Sequence, residues 1–562
     1  MFKLTMRAAG LAAAMLSLGA AFSSTAFAQE TLGDLIRAGQ REAVLAAITS
    51  PDLDVNVAEP DGSTPLLWAT YKVDHDLVRA LLKAGAKANT SNRYGASPLT
   101  EAVKLGDVEL VRMLLDAKAD PDSANQDGQT ALMLASTIGS QKIAELLVSH
   151  GANVNAVENF RGQTALMWAA AGNHPDVVDL LLAHKANVKV RAKYDDWPRQ
   201  MTSEPRAQFR PTGGLTALLY ATRSGCYRCT VALVKAGADV NQPNPDGITP
   251  LINALDNRAY DVAMFLLDKG ANPNVWDMTG RTPLYVAVDM NSYNGRSGAG
   301  NAQFQGFETE AAAAPDSKAT AMKVADRLLA MGVDPNHELT RMRPNGNGRG
   351  RFADYMMRGG TGPLMIAALT YDDEAIELLL KHGAEVDTPN VFQITPLMAA
   401  AGMSGSSRGG VGSAIGGPGG NRQQVDPQLR AIKTLDLLLD AGANINARVI
   451  DSRTRTAKLV AYVQGRDHEG QTALFSAAEA GWDKVVKHLL DRGADPTARD
   501  ATGKTALDHA RSPPPAGPGG APGGGGPGAA ASRAATVSIL EAALKGGGGG
   551  ASAPATTSTG GP

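Results

Sequence analysis

GASPLTEAVKLGDVELVRMLLDAKADPDSAN, residues 95–125, is the stretch from which the architecture can be read. Ser97 can cap a helix while Pro98 takes its first position, where a missing N–H costs nothing. Gly106-Asp107 breaks that helix and caps a second one, in which Val108, Leu110, Val111, Leu114 and Leu115 recur at helical spacing along one face. The frame starts again at Thr64, Thr130, Thr164, Thr216, Thr249, Thr282, Thr361, Thr395, Thr472 and Thr505, at intervals of 33 or 34 residues wherever nothing is inserted. A fixed period of this size means stacked supersecondary units.

On these residues the chain resembles the ankyrin repeat family. The resemblance implies an all-α repeat solenoid of stacked helix-turn-helix units with β-hairpin fingers such as 153–162, and binding of partners on the fingers and first helices. The physics of one unit agrees. A single helix pair cannot bury its own apolar face, so units stack and stability is roughly a sum of neighbour terms. Small residues (Ala69, Ala102, Ala135, Ala169) let helices of adjacent units approach. Gly85, Gly151, Gly237, Gly270, Gly383, Gly442 and Gly493 end the second helices as left-handed terminators. Lys118 and Lys185 stand in that column instead and should cost about 1 kcal/mol each. Trp68, Trp168 and Tyr220 share one position of the first helix and are expected to pack between repeats.

The expected order along the chain is a secretory signal peptide at 1–28, a degenerate capping repeat at 29–60 and a repeat array at 61–510. A Pro/Gly-rich insertion follows at 511–533, then a closing helix at 534–545 and a disordered tail at 546–562. Lys3, Arg7, the apolar run Leu11 to Ala21 and Ala26-Phe27-Ala28 carry the signal-peptide reading, with cleavage after Ala28 and a periplasmic or extracellular address. No later stretch reaches the length needed to span a membrane.

Extra residues must leave a fixed frame at a loop, and register says which one. Insertions near 191–212, 337–360 and 448–467 replace finger tips, whereas those near 290–318 and 403–427 separate the two helices of a unit. The finger insertions are basic and aromatic: Tyr194, Trp197, Arg199 and Phe209 in the first, Arg341, Arg343, Arg351, Phe352 and Tyr355 in the second, Arg455 and Tyr462 in the third. The helix-loop insertions are rich in Gly, Ser, Ala and Pro and nearly neutral, as linkers are. Ordinary finger tips add Arg93, Tyr94, Phe160, Arg161, Trp276, Met278 and Phe392 to the candidate partner-binding set. Arg with Tyr, Trp and Met is the composition of interface hot spots.

The formal net charge of −2 among 562 residues argues against a general polyanion binder, and the expected extracytoplasmic address removes nucleic acid from reach. His150, His184 and His382 stand just before helix terminators, where a cation is stabilising. No metal-ligand spacing, nucleophile elbow or phosphate-binding loop occurs, so no catalytic residue, metal or cofactor is expected. Cys226 and Cys229, the only cysteines, form a C-x-x-C at the start of a second helix. Cys229 reads as a core residue and Cys226 as a cap that could bridge to it in an oxidising compartment, or the two as a thiol-disulfide pair. The leading expectation is a monomeric, non-catalytic scaffold for a protein partner. The alternatives are a binder of an anionic glycan or envelope polymer, and a thiol-disulfide oxidoreductase.

Overall fold

The computed structural model describes residues 31–194, 213–278, 280–294, 319–339, 360–403, 426–450, 468–512 and 527–546. The expected signal peptide and the disordered tail therefore lie outside the described residues. Helices and turns make up nearly all of what is described, with no strand longer than an isolated bridge. Two compact units are present, one ending at Ala119 and the other beginning at Asp120.

The first unit stacks three helix pairs, Leu32–Arg37 with Arg41–Ala47, Pro65–Tyr71 with His75–Lys83, and Pro98–Lys104 with Val108–Asp116. Its leading pair, read from sequence as degenerate, opens on a full capping box between Thr31 and Asp34. Thr64 Oγ1 accepts from Leu67 N at 3.3 Å, Ser97 Oγ from Thr100 N, and Asp107 Oδ1 from Leu110 N at 2.9 Å. Behind these caps Leu110, Val111, Leu114 and Leu115 are all buried. Burying a side chain of this kind stabilises by about 1.5–3 kcal/mol, so the stripe outweighs any single cap.

The second unit repeats the scheme from Ala131–Ile138 to the helix Pro527–Gly546. Thr130, Thr164, Thr216, Thr249, Thr282, Thr395 and Thr505 each cap a first helix through their side chains. Thr361 does not. The helix Pro363–Thr370 is capped by Gly362, so this frame begins one residue later than the threonine suggests, and Thr361 is fully buried instead. The closing helix also starts before residue 534, at Pro527. Tertiary bonds hold its early part: Arg533 donates to the carbonyls of Glu479, Ala510 and Ser512, and Ser532 to that of Gly481.

The terminator column behaves as its backbone requires. At Gly85, φ is +95° and a Cβ would meet nothing within 4 Å, so backbone conformation alone selects glycine. Lys118 and Lys185 adopt φ of +67° and +65° all the same. Their carbonyls accept from Asn89 Nδ2 and Asn155 Nδ2 at 3.1 and 3.2 Å, as the carbonyl of Gly85 accepts from Asn56. Val73, β-branched, sits at +57° between the two helices of its repeat. Lys118→Gly, Lys185→Gly and Val73→Gly should each stabilise their own repeat by about 1 kcal/mol. Hydrogen exchange of the adjoining helices reads this, and unchanged or faster exchange would count against left-handed strain at these positions.

Candidate functional site

Five fingers are built on an Asn or Asp five residues before the capping Thr or Ser. Asn92 Oδ1 accepts from Tyr94 N at 3.0 Å and Ala96 N at 2.9 Å, an Asx turn that closes the tip without a hairpin. Asn125, Asn244, Asn390 and Asp500 repeat the pair of bonds. The expected β-hairpins are thus Asx-closed turns with single antiparallel bridges such as Ala124 to Thr130 and Val157 to Thr164. Neighbouring tips are tied backbone to backbone: Arg93 N to Asp61 O in the first unit, and Asn159 N to Asp127 O, Lys193 N to Arg161 O and Met278 N to Asp246 O in the second. This row of bonds sets the side chains at its edge side by side.

Several predicted tip residues are exposed to solvent. Arg93 and Tyr94 are exposed in the first unit, the tyrosine at 76 %. In the second unit Phe160 is 72 %, Tyr194 64 % and Trp276 60 % exposed, Arg161 is exposed and Met278 lies at 38 %. Trp276 stacks on His337, centroids 5.9 Å apart. Phe392 is the exception. It is 6 % exposed and belongs to the core, so it presents no surface to a partner. Its finger, Val391-Phe392-Gln393-Ile394, is largely apolar and packs closely against the backbone at Gly360, where an added Cβ would lie 2.9 Å from Val391 N. Burial of the ring is therefore the favourable outcome. Trp197, Arg199, Phe209, Arg341, Arg343, Arg351, Phe352, Tyr355, Arg455 and Tyr462 lie outside the described residues.

The roots of the three finger insertions are described. Tyr194 bridges Gly213, with Gly214 N on Lys193 O at 3.0 Å. Gly360 N donates to Leu339 O and Gly470 N to Val449 O, both at 2.8 Å. Each insertion leaves from and returns to a hydrogen-bonded pair on the finger edge.

Behind the fingers, the first-helix position shared by Trp68, Trp168 and Tyr220 faces neighbouring repeats. Tyr220 is buried, and its hydroxyl takes a 2.5 Å hydrogen bond from Gln163 of the preceding repeat. Asn253, in the same column, donates to Leu219 O and Thr222 Oγ1. Arg37 lies 5.3 Å over Trp68, and Arg223 lies 4.9 Å over Tyr220.

Two charged knots went unread in the sequence. Arg281 forks both oxygens of Asp256, at 2.8 and 3.0 Å, and reaches Asp277 at 2.7 Å. Burial pushes the Asp256 carboxyl up and Arg281 pulls it down, with burial prevailing; the two carboxylates hold the Arg281 pKa above its ordinary value against the opposing effect of burial. In the last repeat His509 places both ring nitrogens 2.7 Å from carboxylates, Nδ1 at Glu479 and Nε2 at Asp500. The hydrogen bond to Glu479 raises its pKa most, burial opposes, and Asp500 raises it further. Reading one column across repeats would have exposed both knots, since Asp256 and Glu479 occupy the same place in their units.

Cys226 and Cys229 are disulfide-bonded. Cys226 is the helix N-cap, its sulfur accepting from Cys229 N at 3.1 Å, and the residues are 2 % and 0 % exposed. Exchange chemistry needs an accessible sulfur, and these are enclosed by the stack. A ring this short contributes about 2 kcal/mol on the chain-entropy relation, so a structural role is sufficient. His150, His184 and His382 are helix C-caps, and His150 Nδ1 lies 2.8 Å from Leu146 O. Among the described residues no group of three or more His, Cys, Asp or Glu is set to hold a metal ion. No helix among them is long and apolar enough to cross a membrane.

Stacked helix pairs carrying rows of finger tips within each unit define the class, a helical-repeat scaffold. A model of ankyrin repeats in three copies matches residues 32–125, 118–192 and 218–295, and a single ankyrin repeat matches 469–501. The chain belongs to the ankyrin repeat family, whose repeats mediate protein interactions. A comparison with curated proteins returned no match.

Proposed function

We propose that the protein is a non-catalytic scaffold acting outside the cytoplasm, in the periplasm, that binds another protein along its basic, aromatic finger edge. The supporting observation is the row of exposed tips: Phe160, Arg161, Tyr194, Trp276 and Met278 stand on fingers joined to their neighbours by backbone hydrogen bonds, with the insertion roots on the same edge. Aromatic and Arg side chains on a fixed backbone lose little entropy on binding, which is what an interface anchor needs. The signal-like stretch before Gln29 supports the address.

Affinity capture from an envelope extract, with the chain from Gln29 onward, tests this reading. A discrete protein should be retained by the native chain and lost by a variant with Arg341, Arg343, Arg349 and Arg351 changed to Ser, while the melting temperature of the variant stays within about 1 °C, as expected for residues inserted outside the repeat frame. Retention of carbohydrate alone, released steeply by salt, would replace the protein-partner reading with a polyanion binder.

A further inference from the structure

We propose that Arg161 and Arg223 form a receptor for paired carboxylates on a short, extended acidic segment of the partner protein; the inference rests on the protein-scaffold reading above. Several other arginines of the array are engaged by carboxylates, as Arg228 is by Asp176 at 2.9 Å and Arg492 by Asp436 and Asp440 at 2.7 and 2.5 Å, or, like Arg533, by backbone carbonyls. No ion pair joins the guanidinium of Arg161 or of Arg223 to a carboxylate among the described residues. Each is laid over an aromatic ring instead, Arg161 over Phe160 at 5.7 Å and Arg223 over Tyr220 at 4.9 Å. Stacking holds a guanidinium plane in place and leaves its donor fork available for bidentate bonds to a carboxylate.

The pair is preorganised. Gln163, two residues beyond Arg161, donates to Tyr220 Oη at 2.5 Å and so fixes the ring beneath Arg223 relative to the finger. Glu158, the acid nearest in sequence, is 2 % exposed and committed elsewhere. Its oxygens accept from the N–H groups of Phe160, Arg161 and Gln163 at 2.6, 2.7 and 2.8 Å. Crowding by surrounding atoms pushes the Arg223 pKa down, the Tyr220 ring opposes, and the neighbouring Arg161 charge lowers it further. Two like charges held together without a counterion raise the free energy of the unbound state, and an arriving pair of carboxylates relieves it.

Charge also bounds the ligand. Arg191 and Lys193, on the next finger, donate to backbone carbonyls, Arg191 to Gly214 and Pro243 and Lys193 to Asn159, and thus extend the positive stretch by one step. Beyond it Arg281 is consumed by Asp256 and Asp277. On the other side, Thr137 and Ala171 hold the helix-one places equivalent to Arg223 and are uncharged. A patch one to two repeats wide fits a short acidic peptide flanked by apolar contacts to Phe160 and Tyr194, and fits a long polyanion poorly.

Selection of a displayed library of random 12-residue peptides on the chain from Gln29 tests the inference. The counter-proteins are Arg161→Gln/Arg223→Gln and the charge-preserving Arg161→Lys/Arg223→Lys. Enriched peptides should carry two or more Asp or Glu, and fluorescence anisotropy should show at least about a tenfold loss of affinity on the Gln variant, on replacing peptide Glu by Gln, and a smaller loss on the Lys variant. Enrichment of uncharged peptides that bind native and Gln proteins alike would overturn the receptor and leave the scaffold reading standing. Absence of any enriched peptide, with dextran sulfate bound and lost on the Gln variant, would overturn both. Unchanged melting of the Gln variant confirms that the losses are local.

Discussion

Replacing Arg281 with Met is expected to destabilise the repeats around Thr249 and Thr282 by about 3–5 kcal/mol, since it strands two buried carboxylates. The guanidinium is 12 % exposed, Asp256 19 % and Asp277 3 %, so water cannot take over its role. Hydrogen exchange of the helices Pro250–Asp256 and Pro283–Asn294 is the suitable readout, because a repeat array unfolds in parts and one global midpoint would average the effect away. The triple change Asp256→Asn, Asp277→Asn, Arg281→Met should recover most of the loss, as removing a whole ion cluster costs far less than breaking it. The pH response has a definite sign. Burial keeps the Asp256 carboxyl above its ordinary 3.8 even with Arg281 beside it, so this group favours folding most at low pH and penalises it as pH rises through its folded value. Losing Arg281 enlarges that penalty, and the deficit of the variant should shrink on acidification. A deficit that is independent of pH would mean that lost packing, and not stranded charge, causes it.

The second large effect concerns the last repeat. His509 joins Glu479 and Asp500, and Arg533 of the closing helix bonds to the carbonyl of Glu479, so the imidazolium sits where the end of the stack is fastened. Its pKa is raised above 6.5, chiefly by the hydrogen bond to Glu479. The stabilisation is therefore complete below 6.5 and fades as pH rises through the folded value. Asp500 sets the acid limit: burial opposes its ionisation, but hydrogen bonds from Thr502 and His509 prevail and lower its pKa, so its contribution is lost as pH falls through that value. His509→Gln should cost about 2 kcal/mol at pH 6 through the lost charge-assisted bonds, and nearly abolish the pH dependence above 6. Proteolysis or hydrogen exchange of residues 473–546 measures this. A native segment whose protection rises from pH 6 to pH 8 would contradict the assignment.

Much of the fold is legible in the sequence because each unit restates the same local rules. Threonine before Pro or Ala, the Val/Leu stripe and glycine after the second helix are decided within one repeat, so period and register give the helices and the edge on which each insertion leaves. What escapes is decided between repeats. Gly362 takes the cap although Thr361 is the better capping residue, because the spacing to Thr395 and the stack on either side set the register. Pro527 to Arg533 reads as linker, and Arg533 and Ser532 turn it into helix by bonding to carbonyls far away in sequence. Phe392 has the composition of a tip residue, and only the neighbouring backbone at Gly360 tells that its ring is covered. The candidate surface divides in the same way: Phe160, Arg161, Tyr194 and Trp276 could be placed from their finger positions, whereas Arg223 becomes meaningful only beside Tyr220 and Gln163 of the adjoining repeat.

The paired roots of the finger insertions carry a consequence for how such a chain can change. Because Tyr194 meets Gly213, Leu339 meets Gly360 and Val449 meets Gly470, each detour is closed at its base, and its length is decoupled from the register of the repeats it interrupts. Doubling such a detour costs only about 0.6 kcal/mol of closure entropy. The three roots are thus ports at which sequence can be lengthened, shortened or exchanged during evolution, and at which a foreign epitope or reporter peptide could be grafted with the scaffold left intact.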